Sequence, residues 1–454
     1  MDINVLSFFV CFIGNVLYLS REHSVNGFMN YIRMRKGVFV IFLVMLAVQV
    51  SAYDFKVGDV CYNVTSEMEP FMVEVTYEDY PSVRNYEGVS IVDIPEQVTY
   101  NDTVYNVTSI GISAFYNCGS LTSIKIPESV TTLGDSVFYQ CTSLQTVNLP
   151  GRIMMIPPHT FYHCTSLRSV SVPNSVVIIG ESAFLDCMAL EDLRLGESVG
   201  EIAENAFRKC RSLKEVLLPN SVVSIGKTAF YGCTELSSIH LSAKVEKLGN
   251  KLFEGCVNLS EIVVDKNNQT YDSRDGCNAV VLTSENSLII GCKNTKVPHS
   301  VVTIAKNAFS GCSGLESIYI PDGVSSVEEY AFSLCTSLKE VRIGKDVVKI
   351  GDKAFSGCSA LTSVTCAAVA LPQMGYFVFW YVPVADATLY VPAELLEAYK
   401  DAEQWKNFGA ILPIEQTKIE QGVWERKGAR KMWCNGQMLI VSGDKMYNIM
   451  GVEL

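Results

Sequence analysis

Ten phenylalanines stand in one register. Phe115, Phe138, Phe161, Phe184, Phe207, Phe230 and Phe253 are each 23 residues apart, and the series resumes with Phe309, Phe332 and Phe355. Three residues after each comes a cysteine (Cys118, Cys141, Cys164, Cys187, Cys210, Cys233, Cys256, Cys312, Cys335 and Cys358), and three further on a leucine. Apolar residues then alternate, as in Ile124 and Ile126, followed in many copies by Pro, by Val and Ile or Leu three apart, and by Gly. This period limits the fold more than any other feature. A 23-residue unit cannot close a core alone, so the copies have to stack, each adding a strand at about 4.8 Å; about eleven coils make a solenoid roughly 50 Å long. The L-x-x-I-x-I alternation turns the apolar side chains of a short strand to one face, and the Pro behind it stops the strand. Phe at the same place in every coil predicts a continuous buried column, and Gly predicts a tight turn between segments.

The copies "LTSIKIPESVTTLGDSVFYQC" (121–141) and "LKEVLLPNSVVSIGKTAFYGC" (213–233) closely resemble the BspA-like leucine-rich repeat, also called the TpLRR type, and the resemblance covers about residues 109–365. It implies an α/β-type repeat solenoid, mainly β, right-handed and curved, with a parallel sheet on its concave side. It also implies a bacterial secreted or cell-surface protein that binds host matrix proteins or other cells. The chain departs from the pattern at Pro157-Pro158, where the turn Gly is replaced, and at Gly196, Ser242 and Gly344, which stand in place of the Pro.

Composition narrows the function classes. The chain has 454 residues, of which 48% are hydrophobic, which excludes wholesale disorder. Its net charge of −12 supplies no cationic surplus for nucleic acid or for an anionic membrane surface. Arg33, Arg35 and Lys36 precede the apolar run GVFVIFLVMLAVQV, which ends in Val50-Ser51-Ala52. That order is a secretory signal peptide (34–52) cleaved after Ala52, and the run is short for a membrane span, which takes about 20 residues. Residues 1–33 read as translated upstream sequence before an initiator Met34. The rival reading pairs VLSFFVCFIGNVLYL with the second run as a membrane hairpin; sequencing the N-terminus of the exported product separates the two.

The lattice cysteines invite a metal or redox reading, but no CxxC pair exists and each occupies an equivalent structural position, as a small buried residue with a weak S–H donor would. They are expected to be free thiols. Between Cys256 and Cys312 the lattice breaks, and within the irregular insert (265–298) NAVVLT and SLIIGC flank Ser284-Glu285-Asn286 as two strands around a turn. Cys277 and Cys292 lie nearly symmetrically about that turn, which makes them the best disulfide pair in the chain, against the reading that both fill core positions. Asp265, Asp272 and Asp275, with Asn267 and Asn268, match no calcium-loop spacing and read as a solvated turn. No HExxH, G-x-S-x-G, P-loop or dinucleotide fingerprint occurs. His159 and His163 are four apart but lack a third ligand, and they read as surface substitutions. The chain is therefore expected to have no catalytic residues, no bound metal and no cofactor.

The working face is expected on the concave sheet. Seven residues after each Cys, the outward row changes from polar to Leu217, His240, Val263 and Tyr319, flanked by Arg194 and Arg342. Apolar residues rimmed by charge, with Tyr and Arg as anchors, make an interaction patch for an extracellular protein ligand. The competing reading covers the same strands with the insert. A glycan ligand is the alternative, which would need aromatic stacking platforms. Residues 53–108 read as an N-terminal β cap. Residues 366–415 read as a C-terminal cap with Tyr399, Trp405 and Phe408 on one helix. Residues 416–454 read as a β tail with two strands about Ser442-Gly443-Asp444, resembling short C-terminal sorting signals.

Overall fold

The computed structural model describes residues 53–78 and 86–414, and the backbone of three strands between 429 and 448. The expectations for residues 1–33 and 34–52 lie outside the described residues. The rest winds through about 13 turns of a mainly β, parallel-strand solenoid.

Each coil has three sides. On the first, strands such as Ser123–Lys125, Thr146–Asn148, Ser169–Ser171 and Asp192–Arg194 pair in parallel one coil apart. The second side was not foreseen as sheet: two-residue strands, among them Met155–Ile156, Ile178–Ile179, Glu201–Ile202, Ser224–Ile225 and Lys247–Leu248, form a second parallel row from the V-x-x-I segment. The third side is a turn face without strands, but it is still laddered. Phe161 donates its amide to the Ala183 carbonyl (2.7 Å), Phe184 to Ala206 and Phe207 to Ala229 (both 2.8 Å).

The tight turns are not made by the lattice glycines. They come from a pair of left-handed residues two before and two after each Phe, such as His159 (φ 56°) and His163 (φ 59°) around Phe161, or Ser182 (54°) and Asp186 (60°) around Phe184. The glycines serve coil-to-coil approach instead. A Cβ on Gly134 would sit 2.4 Å from the Ile112 nitrogen of the preceding coil, and one on Gly249 would sit 2.1 Å from that of Lys227.

The phenylalanine column exists. It begins at Tyr86, stacks from Phe115 to Phe253 with ring centroids 5.1–5.8 Å apart, and resumes from Phe309 through Phe332 and Phe355 to Phe379. Trp405 and Phe408 close it edge-on at 5.4 and 5.2 Å. Beside it runs a thiol ladder, in which Cys164 donates S–H to the Phe138 carbonyl, Cys187 to Phe161 and Cys210 to Phe184, at 3.1–3.2 Å. The cysteines are thus cross-coil donors as well as packing, and all fourteen described ones are free thiols.

At the N-terminal end, strands within 55–110 form a mostly antiparallel sheet whose Thr103–Ile110 strand pairs in parallel with Thr132–Leu133, while Ile91–Asp93 already pairs with Ser123–Lys125. At the other end Thr388–Val391 and Ala410–Pro413 extend the first sheet beyond Ser363–Cys366. Of the three, only Tyr399 lies on the α-helix, Leu396–Asp401. Trp405 opens a separate 3-10 helix, Trp405–Asn407, and Phe408 follows it, because Gln404 enters a left-handed conformation and binds the Val378 amide and the Gly375 carbonyl with its side chain. The tail holds Gln437–Ser442 and Lys445–Asn448 as an antiparallel pair about residues 443–444, plus a third strand, Ala429–Cys434. Among the described residues no helix is long and apolar enough to cross a membrane.

Candidate binding surface

The outward row of the first sheet is divided twice, between Asp192–Arg194 and Glu215–Val216 and again at the insert. Arg194 lies on the first part, and His240 and Val263 on the second, paired across adjacent strands, with Leu217, 74% exposed, just beyond the strand Glu215–Val216. Tyr319, 49% exposed, pairs with Arg342 on the C-terminal part, whose row continues through Thr365 to Tyr390. The two arginines are held along their own strands, Arg194 against Asp192 at 3.4 Å and Arg342 against Glu340 at 2.6 Å. Glu261–Val264 and Ser317–Ile320 do not pair with each other, so Val263 and Tyr319 are not neighbours in one ladder. The His299 ring stands edge-on to Tyr319 instead, at 6.4 Å.

The insert explains the second division. Ala279–Leu282 and Ser287–Gly291 form the expected antiparallel hairpin, but it joins the second sheet, where Ser287–Gly291 pairs in parallel with Thr303–Ile304. Its apolar residues are used up there and leave Leu217 and Val263 exposed. Cys277 and Cys292 are both free thiols in this structure, bonded to the Ala279 and Asn278 carbonyls, and their side chains belong to different halves of the core. Burial pushes the Cys277 thiol up to about 11. Of the acidic cluster, Asp272 is clamped by Arg274: burial acts against its charge, but the Arg274 bonds hold its carboxyl below the usual range. Asn268 is buried rather than solvated, donating to the Ser242 and Val245 carbonyls and accepting from the Thr270 and Tyr271 amides. Among the described residues no three His, Cys, Asp or Glu side chains gather as a metal site.

A second exposed group went unread in the sequence. In the run YFVFWYV, Val378 and Phe379 are buried while Tyr376, Phe377, Trp380 and Tyr381 face solvent, with Trp380 stacked on Tyr381 at 4.4 Å and Lys353 over Trp380 at 5.1 Å. The signal was present: Phe379 continues the column at a spacing of 24 from Phe355, so its flanking aromatics have to point outward.

The BspA type leucine-rich repeat model matches residues 95–214, 177–275 and 289–398, in six copies, well over half of the sequence. The chain belongs to this family. Among solved structures it is similar to a leucine-rich repeat protein from Bacteroides ovatus (25% identity, 79% of this chain and 100% of that one, TM-score 0.44). It is also similar to a leucine-rich cell surface protein from Faecalibacterium prausnitzii (23%, 79% and 94%, 0.48) and to the T. pallidum leucine-rich repeat protein TpLRR (18%, 68% and 90%, 0.22). No curated protein matches the chain.

Proposed function

We propose that this is an exported, surface-associated binding protein without catalytic activity, which captures an extracellular protein of host tissue or of a neighbouring cell on the outward row of its first sheet. The observation that carries the reading is the exposure of Val263 and Tyr319 on two parallel ladders, and of Leu217 just beyond the strand Glu215–Val216, beside charged neighbours. Large exposed apolar side chains set among polar ones mark interaction surfaces, and Tyr and Arg are the favoured anchors. Affinity then comes from many modest contacts. The test is capture of arrayed extracellular-matrix proteins by the mature chain and by a Leu217→Ala/Tyr319→Ala variant. Loss of capture with an unchanged melting temperature supports the reading, and equal capture sinks it.

A glycan ligand is the second reading, favoured by the solvent-facing Trp380 and Tyr381 pair, because sugar rings stack on exposed aromatic faces. Its test is a glycan array probed with the wild-type chain and with Trp380→Ala/Tyr381→Ala.

A further inference from the structure

The Phe column and the turn-face ladder are both interrupted at one place. At every other coil from Phe115 to Phe355, amides at the Phe and two residues to either side donate to the next coil: Thr228 to Asn250, Phe230 to Leu252 and Gly232 to Glu254, and after the break Asn307 to Glu329, Phe309 to Ala331 and Gly311 to Ser333. The corresponding amides of Lys251, Phe253 and Gly255 donate to no carbonyl among the described residues. Across the break, the carbonyls that would receive them belong to Lys306, Ala308 and Ser310. Only that of Ala308 is taken, by the Gly291 amide of the insert at 2.8 Å. The insert joins the C-terminal part of the second sheet, without pairing with Lys247–Leu248 and without supplying a turn-face layer.

A cavity of about 290 Å³ occupies this wedge, walled by Leu248, Phe253, Leu259, Ile289, Ile290 and Phe309. One end is clasped shut. Glu254, nearly buried, takes Ser310 Oγ at 3.0 Å and Lys251 Nζ at 2.9 Å, and Gly311 lies close against Gly255. The volume suits one large apolar side chain with its peptide group, at the lower end of small-ligand pockets.

We propose that this wedge is a binding site for a peptide segment of a partner that presents a large apolar side chain. The side chain enters the cavity in place of the missing member of the column. Its peptide carbonyl accepts from the Phe253 or Lys251 amide, and its peptide N–H donates to a free carbonyl of Lys306 or Ser310. A peptide group is favoured over a purely apolar molecule because both open edges carry backbone groups at lattice spacing, and open backbone edges are what extended peptides recognise.

The probe is N-acetyl-L-phenylalaninamide, titrated into the mature chain while the Ile289 and Ile290 methyl resonances and exchange of the Phe253 amide are followed. Saturable methyl shifts with slowed Phe253 exchange are expected, with N-acetyl-L-alaninamide weaker by about tenfold or more, since it leaves the cavity empty. Ile290→Phe, which fills the cavity, should abolish the shifts at Leu259 and Leu248 while the melting temperature holds; should it unfold, Ile290→Met serves in its place. The proposal is overturned by no shift at about 20 mM probe. It is overturned equally by unchanged binding to the filled variant, or by ethylbenzene binding as tightly as the amide, which would make the site a plain apolar hole.

Discussion

Raising the pH should loosen this solenoid through its cysteines. Cys164, Cys187, Cys210, Cys233 and Cys335 are fully enclosed, and burial, followed by the neighbouring thiols of the same column, pushes each well above an ordinary thiol. A group whose folded pKa is raised contributes stability that is complete below its unfolded pKa, about 8.5 for Cys, and that is lost as pH rises toward the folded value. The unfolded chain gains about RT ln(1 + 10^(pH − 8.5)) per thiol, which is about 0.06 kcal/mol at pH 7.5 and about 1.4 kcal/mol at pH 9.5. Over five thiols the loss across that window is about 7 kcal/mol if the array unfolds as one unit; if it unfolds in blocks, each block loses the share of its own thiols. Urea denaturation followed by circular dichroism at pH 7.5, 8.5 and 9.5, under reducing conditions, measures it. The control that isolates the thiols is Cys187→Ala/Cys210→Ala. It starts less stable, having lost two S–H bonds, but its decline should be shallower by about 3 kcal/mol over the same window. A parallel decline in both proteins would refute the reasoning and assign the effect to other titrating groups.

Removing one ring from the column, Phe184→Ala, should cost about 3–5 kcal/mol, because Phe184 is fully buried between Phe161 and Phe207 and a rigid ladder cannot collapse around the hole; calorimetry or urea midpoints check it. Gly249→Ala should destabilise by about 1–3 kcal/mol through the Lys227 backbone, whereas Gly119→Ala, whose Cβ meets nothing closer than 3.8 Å, should be neutral within about 0.5 kcal/mol. Thiol titration of the mature chain under native conditions should give a slow or negligible reaction at Cys164, Cys187 and Cys210, and denaturant should release all fourteen described thiols; a protected pair at Cys277 and Cys292 after denaturation would show the disulfide.

What the sequence disclosed and what it hid follow from the range of the interactions involved. The column, the strand face and the post-strand stop depend on residues repeated at one spacing, so period alone reveals them. The turn face escaped because its left-handed positions hold Ser, His, Asn, Thr, Lys and Tyr before the ring and Asn, Gln, His, Asp, Lys, Leu and, in four coils, Gly after it, so no single residue type marks them. The coil-to-coil approach at Gly134 looks, in one dimension, identical to a turn glycine; only the neighbouring coil tells the two apart. The outward row from Arg194 to Arg342 was legible residue by residue, but its continuity was not. Whether Val263 meets Tyr319 depends on which sheet the hairpin joins, and that is settled by the register between Ser287–Gly291 and Thr303–Ile304, 16 residues apart in sequence.

A lattice this regular leaves few places for selectivity. Each regular coil presents the same turn-face ladder, paired to its neighbours on both sides, so that face of its backbone offers a ligand nothing and the outward side chains are what differ from coil to coil. Binding to those side chains is additive and tolerant, as suits capture of a large surface by many weak contacts. The break between Phe253 and Phe309 differs in kind, because there the ladder itself is open and the groups exposed are backbone donors and acceptors at fixed spacing. Variants can therefore separate the two modes: Leu217→Ala/Tyr319→Ala should weaken capture of a whole protein while leaving the binding of N-acetyl-L-phenylalaninamide untouched, and Ile290→Phe should do the reverse. If both variants impaired both kinds of binding, the two surfaces would be parts of one site, and the division of the outward row at the insert would have no functional meaning.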